Sequence, residues 1–329
     1  MLLTAQRPVD IDDHPIVRKR YLVATPTIDL VTQRIVKQIR LRNPGAILYG
    51  YPRFGKTSSI RYVIHYLHET FPGAVCVNFR CETHKSGSED SFLIALLTAV
   101  GHREPLAGKI SRKRHRLLEH ICMLADRSGK DWIVFFADEA QKLQVIEYEW
   151  LRDLHDALEL KGIRMITILV GQPQLLDQKS ALRKSMNTQI VLRFMVTEIR
   201  FGGIVSAEDV ATCLAAYDAS CYPPESAWTF TRFFYPRAFA AGMRLSTYAH
   251  ALWKAFERAH KAANLGERIE IPMAYFARAV EHALSEHSAR DSDGFGFSPA
   301  IWDEAVLESN YILACEEIRL GLPLPDWRS

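Results

Sequence analysis

The sequence lacks the features that mark several large classes of protein. It has no run of about 18 apolar residues, the length of a membrane-spanning helix, and residues 1–8 lack the apolar core of a signal peptide. Its six cysteines form no CxxC pair, and its histidines lack the spacing to cysteines that is typical of zinc sites. It has no Gly-x-Ser-x-Gly motif and no internal repeat. We therefore expect a cytoplasmic protein with reduced thiols, no membrane contact and no zinc site.

The chain also lacks a strong excess of positive or negative charge. The chain of 329 residues has a net charge of only +3, which is compatible with nucleic-acid binding but does not argue for it. Its hydrophobic content of 48% is sufficient for one large domain or two medium domains.

What the sequence does contain is a phosphate-binding loop of the form GxxxxGK[ST] at residues 50–57. An apolar run at residues 46–49 predicts a strand before it, and residues 58–70 predict a helix after it. In that order, backbone N–H groups and a helix N-terminus face one point, which attracts phosphate. The predicted nucleotide-binding residues are Gly50, Tyr51, Pro52, Arg53, Phe54, Gly55, Lys56, Thr57 and Ser58.

Two acidic residues indicate hydrolysis as well as binding. Asp138 and Glu139 follow an apolar run at residues 132–137. We expect Lys56 to contact the β- and γ-phosphates of ATP, while Thr57 and Asp138 hold Mg²⁺. Glu139 can then act as the general base that activates a water molecule. The alternative is that the acidic pair is only the solvated start of the next helix.

Apolar runs alternate with helical patterns as far as residue 203, which predicts an α/β fold: a mainly parallel sheet with helices on both faces. The predicted strands are residues 46–49, 74–79, 132–137, 165–170 and 189–194. Only helical patterns follow, at residues 207–217, 225–240, 245–263 and 272–287. We therefore expect an N-terminal arm (1–26), a nucleotide-binding α/β domain (27–203), a small all-helical lid (204–290) and a tail (291–329) that starts with a flexible joint.

Further candidate residues are polar or basic. Gln172 follows the predicted fourth strand, where its side chain can reach the γ-phosphate or the attacking water. Arg183 and Arg193 are candidates for an arginine finger that acts on a neighbouring subunit, because both fall near the predicted fifth strand. Arg244 opens a helix of the lid and can report bound ATP to it. Gln172 has the alternative of being an ordinary polar residue in a turn, and each of these arginines that of being an ordinary surface residue.

A basic run between the second and third predicted strands is a candidate DNA contact. Residues 109–116 hold five lysines and arginines in eight positions, and such runs bind phosphates without regard to base sequence. The alternative is a solvated helix face. The predicted DNA-binding residues are Lys109, Arg112, Lys113, Arg114, Arg116 and, in the loop after the second strand, Lys85.

Taken in order, these motifs resemble an AAA+ ATPase of the group that contains the TnsC and TniB transposition regulators and the ExeA-type ATPases. The resemblance covers roughly residues 14–290. It rests on the phosphate loop, on Asp138-Glu139-Ala140-Gln141, on Gly171-Gln172-Pro173, on Arg193-Phe194 and on Gly242-Met243-Arg244. The segment from His14 to Thr25 resembles the entry of TnsC-like proteins. Gln172 departs from the pattern, because the family commonly has Asn or Thr there.

The resemblance implies a function as well as a fold. TnsC-like proteins assemble with ATP and Mg²⁺ as rings or helical filaments on double-stranded DNA, and link a TniQ-type target selector to a transposase. ATP hydrolysis disassembles them. Their DNA contacts lie between the second and third strands, where the basic run lies in this chain. The tail would be a hook for a partner.

Three alternatives remain open. An ExeA-like ATPase that serves secretion would normally add a membrane span and a periplasmic domain. An origin-recognition-like initiator would normally add a winged helix, for which residues 265–329 lack a hairpin pattern. A signalling ATPase that acts on protein partners would not bind DNA.

Overall fold

The computed structural model of the protein describes residues 7–84 and 86–321. They form two units. The α/β unit comprises residues 30–52 and 56–201, and the helical unit comprises the described parts of residues 1–29, 53–55 and 202–329. No helix within the described ranges combines the length and the apolar character that crossing a bilayer requires.

The α/β unit is built on five parallel strands in the order β2-β3-β4-β1-β5. They are β1 (Gly45–Tyr49), β2 (Val75–Arg80), β3 (Trp132–Asp138), β4 (Arg164–Gly171) and β5 (Thr197–Arg200). Every position of β3 is buried. Phe135 and Phe136 point to opposite faces and neither is exposed to solvent, so both faces of the sheet are covered. The predicted α/β class is confirmed.

Seven helices accompany this sheet along the chain. They are α1 (Pro26–Arg40), α2 (Lys56–Thr70), α3 (Glu89–Ala99), α4 (Ile110–Ser128), α5 (Val145–Leu160), α6 (Gln174–Lys184) and α7 (Thr188–Phe194). Local signals account for several of their ends. Thr25 accepts a hydrogen bond from the backbone N–H of Ile28 at the start of α1. Gly129 ends α4 with a φ of 65°, and Gln144 and Glu147 form a capping box at α5.

The predicted fifth strand at residues 189–194 is wrong. These residues form most of α7, and the fifth strand follows at Thr197–Arg200. Ile190, Val191 and Phe194 are buried whereas Leu192 is exposed, which is the spacing of a helix and not the alternation of a strand. The run is too short for its composition to separate the two. The real strand has only Ile199 buried, because it lies at the edge of the sheet beside β1.

The helical unit has an aromatic core. Its helices are α8 (Ala207–Ala219), α9 (Phe230–Phe234), α10 (Pro236–Ala240), α11 (Ala249–Ala262), α12 (Met273–Glu286), α13 (Pro299–Glu308) and α14 (Tyr311–Gly321). The predicted helix at residues 225–240 is divided, because Pro236 cannot continue the preceding helix. Residues 291–298, which were predicted to be a flexible joint, place two aromatic side chains in contact with the helical unit. Phe295 stacks on Tyr235, and Phe297 is buried against Trp302.

Residues from the N-terminal segment also belong to the helical unit. His14 is completely buried, and its ring stacks on Phe233 with centroids 4.2 Å apart. Burial among aromatic rings lowers the pKa of His14 to about 4, so the ring is neutral at physiological pH. Tyr21 donates a hydrogen bond of 2.8 Å to Glu281 on α12. The segment is thus fastened by a buried ring and by a polar contact.

Candidate nucleotide-binding site

The candidate site lies at the carboxyl edge of the sheet. Tyr49 pairs with Gly171 at the ends of β1 and β4, and Asp138 at the end of β3 pairs with Val170. The backbone N–H of Gly50 continues this pairing with a hydrogen bond of 3.2 Å to the carbonyl of Gly171. The segments that follow these three strands therefore leave the sheet side by side, at the edge where parallel sheets bind their ligands.

The backbone of the phosphate loop explains its two glycines. A Cβ at Gly50 would lie 2.5 Å from the carbonyl oxygen of Phe201, so a side chain has no room there. Gly55 has a φ of 102°, a conformation that side chains rarely permit. Arg53 adopts a φ of 67° without being a glycine, and strain of this kind concentrates at ligand sites. Helix α2 then begins at Lys56, so the unpaired N–H groups of its first turn add to those of the loop.

Lys56 is held over the loop by backbone carbonyls. Its Nζ donates hydrogen bonds of 2.6 Å to the carbonyl of Gly50 and 2.8 Å to that of Tyr51, and the residue is only 8% exposed. Burial lowers the pKa of Lys56 to about 8, although the charges of Glu139 and Asp138 act in the opposite direction. The ammonium group is therefore in place to contact phosphate before any ligand arrives.

This lowered pKa predicts a pH-dependent affinity for ATP. Below about pH 8 Lys56 is charged and binds phosphate; as the pH rises through 8 the free protein loses that charge and binding must take up a proton. We expect the dissociation constant of ATP, measured by calorimetry, to be flat from pH 7 to 8 and then to rise by up to about tenfold per pH unit. The residual binding of a Lys56→Ala variant is expected to stay flat over the same range. A parent profile as flat as that of the variant would contradict the assignment.

Thr57 and Asp138 form a pair suited to Mg²⁺. The hydroxyl of Thr57 donates a hydrogen bond of 3.0 Å to Oδ2 of Asp138, which is only 6% exposed. The other carboxylate oxygen of Asp138 accepts a hydrogen bond of 3.0 Å from the backbone N–H of Glu139. Hydroxyl and carboxylate oxygens are the ligands that Mg²⁺ prefers. The donor set therefore fits a magnesium ion, whose charge would stabilise the oxygens of a reacting phosphate.

The position of Glu139 depends on an unusual backbone conformation and on Gln141, to which the sequence patterns assigned no role. Its φ of 60° and ψ of 35° lie in the left-handed region. Its Oε2 accepts a hydrogen bond of 2.8 Å from the amide of Gln141, and the Oε1 of Gln141 accepts one of 3.1 Å from the backbone N–H of Gln172. Gln141 thus ties the carboxylate to the end of β4.

The position of Gln141 depends on a glycine. A Cβ at Gly171 would lie 2.3 Å from the Oε1 of Gln141, so only glycine leaves room for this side chain. The sequence of residues 138–141 was part of the resemblance to AAA+ ATPases. The position of the Gln141 side chain, however, depends on a short 3₁₀ turn at Ala140–Lys142. Sequence spacing contains no signal for that turn.

The three candidate arginines have different surroundings. Arg183 is exposed in the last turn of α6. Arg193, on α7, forms an ion pair with Asp156 of α5. Both precede β5 on helices. Arg244 lies 3.6 Å above the ring of Phe239 and donates hydrogen bonds to the carbonyls of Phe239 and Met243, all within the helical unit.

The basic run on α4 is not a uniform charged surface. Lys113 is 3% exposed and forms an ion pair of 2.7 Å with Asp90. Arg114 forms an ion pair with Glu89, and Arg116 donates hydrogen bonds to the carbonyls of Glu104 and Ala107. Lys109 and Arg112 are exposed, and no ion pair joins either of them to another residue in the described ranges. Lys85 lies outside the described residues.

Comparisons with known proteins agree with this architecture. Residues 41–178 match the family model described as an AAA domain. No curated protein sequence matches the chain. Among solved structures, the chain is similar to the ORC2 protein of Aeropyrum pernix in ADPNP–ADP complexes, with 12% identity and a TM-score of 0.55 over 90% of this chain and 72% of that one.

Two similar structures contain DNA. The ORC1 protein of Aeropyrum pernix in complex with DNA has 13% identity and a TM-score of 0.52, covering 94% of this chain and 72% of that one. Drosophila ORC bound to DNA has 13% identity and a TM-score of 0.51, covering 91% of this chain and 70% of that one. At such low identity these likenesses show the fold alone. The chain therefore has the AAA+ fold, with an AAA domain matched at residues 41–178.

Proposed function

We propose that the protein is an ATPase that assembles on double-stranded DNA while ATP is bound and leaves it after hydrolysis. The observation that carries the ATPase part of the proposal is the convergence of three groups at one edge of the sheet. Lys56 is poised over the loop, Thr57 is bonded to Asp138, and Glu139 is tethered by Gln141. A site for binding alone requires the first two groups. The third adds a carboxylate where a general base is needed.

Each side chain has a distinct task in hydrolysis. Lys56 binds the β- and γ-phosphates through its charge, as in other phosphate loops. Thr57 and Asp138 supply oxygen ligands for Mg²⁺. Glu139 accepts a proton from the attacking water, and Gln141 holds its carboxylate in one orientation. The backbone N–H of Gln172 keeps Gln141 in place; contact between the Gln172 side chain and the γ-phosphate remains a prediction.

Duplex DNA is the proposed platform for assembly. The fold is shared with ORC proteins whose solved structures include DNA, and an exposed part of the basic run lies at the start of α4. Lys109 and Arg112 are the strongest candidates for phosphate contacts, because neither is committed to an ion pair within the described residues. Lys113, Arg114 and Arg116 would first have to leave their present partners.

A pair of double variants tests this contact. Replacing both Lys109 and Arg112 with alanine is expected to reduce the slope of log K against log salt by about 2, roughly one unit for each lost phosphate contact. The matched control replaces Arg34 and Lys37, two exposed basic residues of α1, and is expected to leave the slope unchanged. Equal slopes in the two double variants would mean that the basic run is an ordinary solvated helix face and does not contact DNA. That outcome would favour an ATPase that acts on protein partners without DNA.

Self-assembly is proposed to place Arg183 at the ATP of a neighbouring subunit. An arginine finger must be free to reach across an interface, and Arg183 is exposed whereas Arg193 is paired with Asp156. Arg183→Ala is expected to lower the ATPase rate of the assembly by about 10³-fold or more. Mixing it with Glu139→Gln subunits, which are expected to bind ATP and to assemble and which retain Arg183, is expected to restore part of the activity. Failure of the mixture to recover, or an equal loss in Arg193→Ala, would contradict this assignment.

The biological setting is proposed from the resemblance to TnsC-like proteins. In that setting the protein links a TniQ-type target selector to a transposase, and ATP hydrolysis ends the link. Arg244 would report the state of the nucleotide to the lid, although its guanidinium is occupied by two carbonyls and a ring in the structure. If the gene neighbourhood encodes a transposase, pull-down of the chain with that transposase tests this setting. Retention only with ATP supports it, and equal retention without nucleotide contradicts it.

A further inference from the structure

Two histidines and a glutamate, none of them assigned to ATP or DNA, meet in the helical unit. His282 lies on α12, His287 directly follows α12, and Glu304 lies on α13. The Nε2 of His282 is 3.4 Å from Oε1 of Glu304, and the Nε2 of His287 is 3.6 Å from Oε2 of the same carboxylate. One ligand atom from each of the three residues lies within 4.8 Å of the other two.

The buried ring of His287 lacks a hydrogen-bond partner in the described part of the chain, which indicates that this cluster binds a ligand. The residue is 5% exposed, and neither ring nitrogen has a hydrogen-bond partner within the described residues. Its 3.6 Å distance to Glu304 exceeds the usual range of about 2.7–3.2 Å for an N–H···O hydrogen bond. Buried polar atoms are nearly always satisfied in folded proteins. A group that accepts the lone pair of Nε2 would satisfy this nitrogen, and a metal ion is such a group.

The spacing of the cluster suits a transition metal. Zinc binds nitrogen and oxygen ligands at about 2.0–2.1 Å, so that neighbouring ligand atoms of a tetrahedron are about 3.3–3.4 Å apart. The two observed separations, 3.4 Å to Oε1 and 3.6 Å to Oε2 of Glu304, are each close to this edge length, and all three ligand atoms lie within 4.8 Å of one another. Two imidazoles and one carboxylate form a ligand set that zinc and other first-row divalent ions accept, with water in the fourth position. Glu304 is exposed, which leaves the fourth position open to solvent.

The geometry points to a divalent transition-metal site formed by His282, His287 and Glu304, with zinc as the best-fitting ion. Neither the phosphate loop nor the basic run takes part in it. The bound ion joins the end of α12 to α13 across residues 291–298, and so fastens the C-terminal helices to the rest of the helical unit. The spacing of histidines relative to cysteines predicted no zinc site. The third ligand is a glutamate on another helix.

Zinc titration of the full chain tests the site. The protein is first stripped with a chelator and then titrated with Zn²⁺ in excess Mg²⁺, which keeps the oxygen ligands of the nucleotide site occupied. We expect one Zn²⁺ per chain, a higher melting temperature and slower amide exchange in α13. Co²⁺ in place of Zn²⁺ is expected to give visible d–d bands without the near-ultraviolet band of a thiolate ligand, because no cysteine takes part.

Matched variants separate this site from adventitious binding. His282→Ala and Glu304→Gln, both at positions that solvent reaches, are expected to weaken zinc binding at least tenfold while circular dichroism shows an unchanged helix content. His250→Ala, an exposed histidine of the same unit, is expected to bind like the parent. The proposal is overturned if the parent fails to bind one equivalent, if Glu304→Gln and His282→Ala both bind like the parent, or if Co²⁺ shows a thiolate band.

Discussion

Glu139→Gln is expected to slow ATP hydrolysis by about 10²–10⁴-fold while ATP binding stays close to that of the parent. The substitution removes the proton acceptor but preserves the shape of the side chain. Its amide oxygen can still accept the hydrogen bond that Gln141 donates to Glu139, so the geometry around the missing base is retained. Single-turnover hydrolysis and equilibrium ATP binding, measured on the same preparation, separate the two effects. DNA complexes formed with ATP are expected to live longer in this variant.

The matched control is Glu159→Gln, which neutralises a carboxylate on α5 that pairs with Arg164. Its turnover is expected to equal that of the parent. If Glu139→Gln also turns over at the parental rate, Glu139 is not the base. If ATP binding is lost together with hydrolysis, Glu139 acts in binding and the division of tasks proposed for the site is wrong.

Lys56→Ala is expected to weaken ATP binding by about 10- to 100-fold or more, because hydrogen bonds to charged groups contribute about 1.5–3 kcal/mol. The substitution also leaves the carbonyls of Gly50 and Tyr51 without the donor that now holds the loop. Nucleotide-dependent assembly is expected to disappear with the binding. Calorimetry with ATP measures the first effect, and light scattering with ATP and DNA measures the second.

Lys161→Ala is the control for this prediction, because Lys161 is an exposed lysine just after α5. It is expected to bind ATP and to assemble like the parent. An unchanged ATP affinity in Lys56→Ala would contradict the assignment of residues 50–57 as the phosphate-binding loop. An unchanged affinity accompanied by lost assembly would mean that Lys56 acts in subunit contact and not on phosphate.

Sequence patterns predicted best the elements whose residues show both their burial in the fold and the place where the element ends. Strand β3 is apolar at nearly every position because it is buried on both faces, and its end is marked by Asp138. In the phosphate loop, Gly55 is required by its own φ of 102°, which is a local constraint. The fifth strand was misplaced because the short run at residues 189–194 suits a helix and a strand equally well, and burial alone decides between them.

The finer features of the site depend on contacts between distant parts of the chain. Gln141 can bridge Glu139 and Gln172 only because β3 and β4 end side by side and Gly171 leaves room. The basic run was expected to act as one surface, but Lys113 and Arg114 pair with acidic residues of α3. A count of charges cannot predict such pairing, because Asp90 and Glu89 lie on the preceding helix, 23 and 25 residues from their partners in sequence.

ATP binding, and not ATP hydrolysis, is proposed to drive assembly on DNA. Electron microscopy of the full chain on linear duplex DNA with a slowly hydrolysed ATP analogue tests it most directly, with ADP and Lys56→Ala as the two controls. The account predicts rings or filaments on DNA with the analogue, none with ADP and none in Lys56→Ala. Particles that stay monomeric with the analogue, or that decorate DNA equally with ADP, would contradict it.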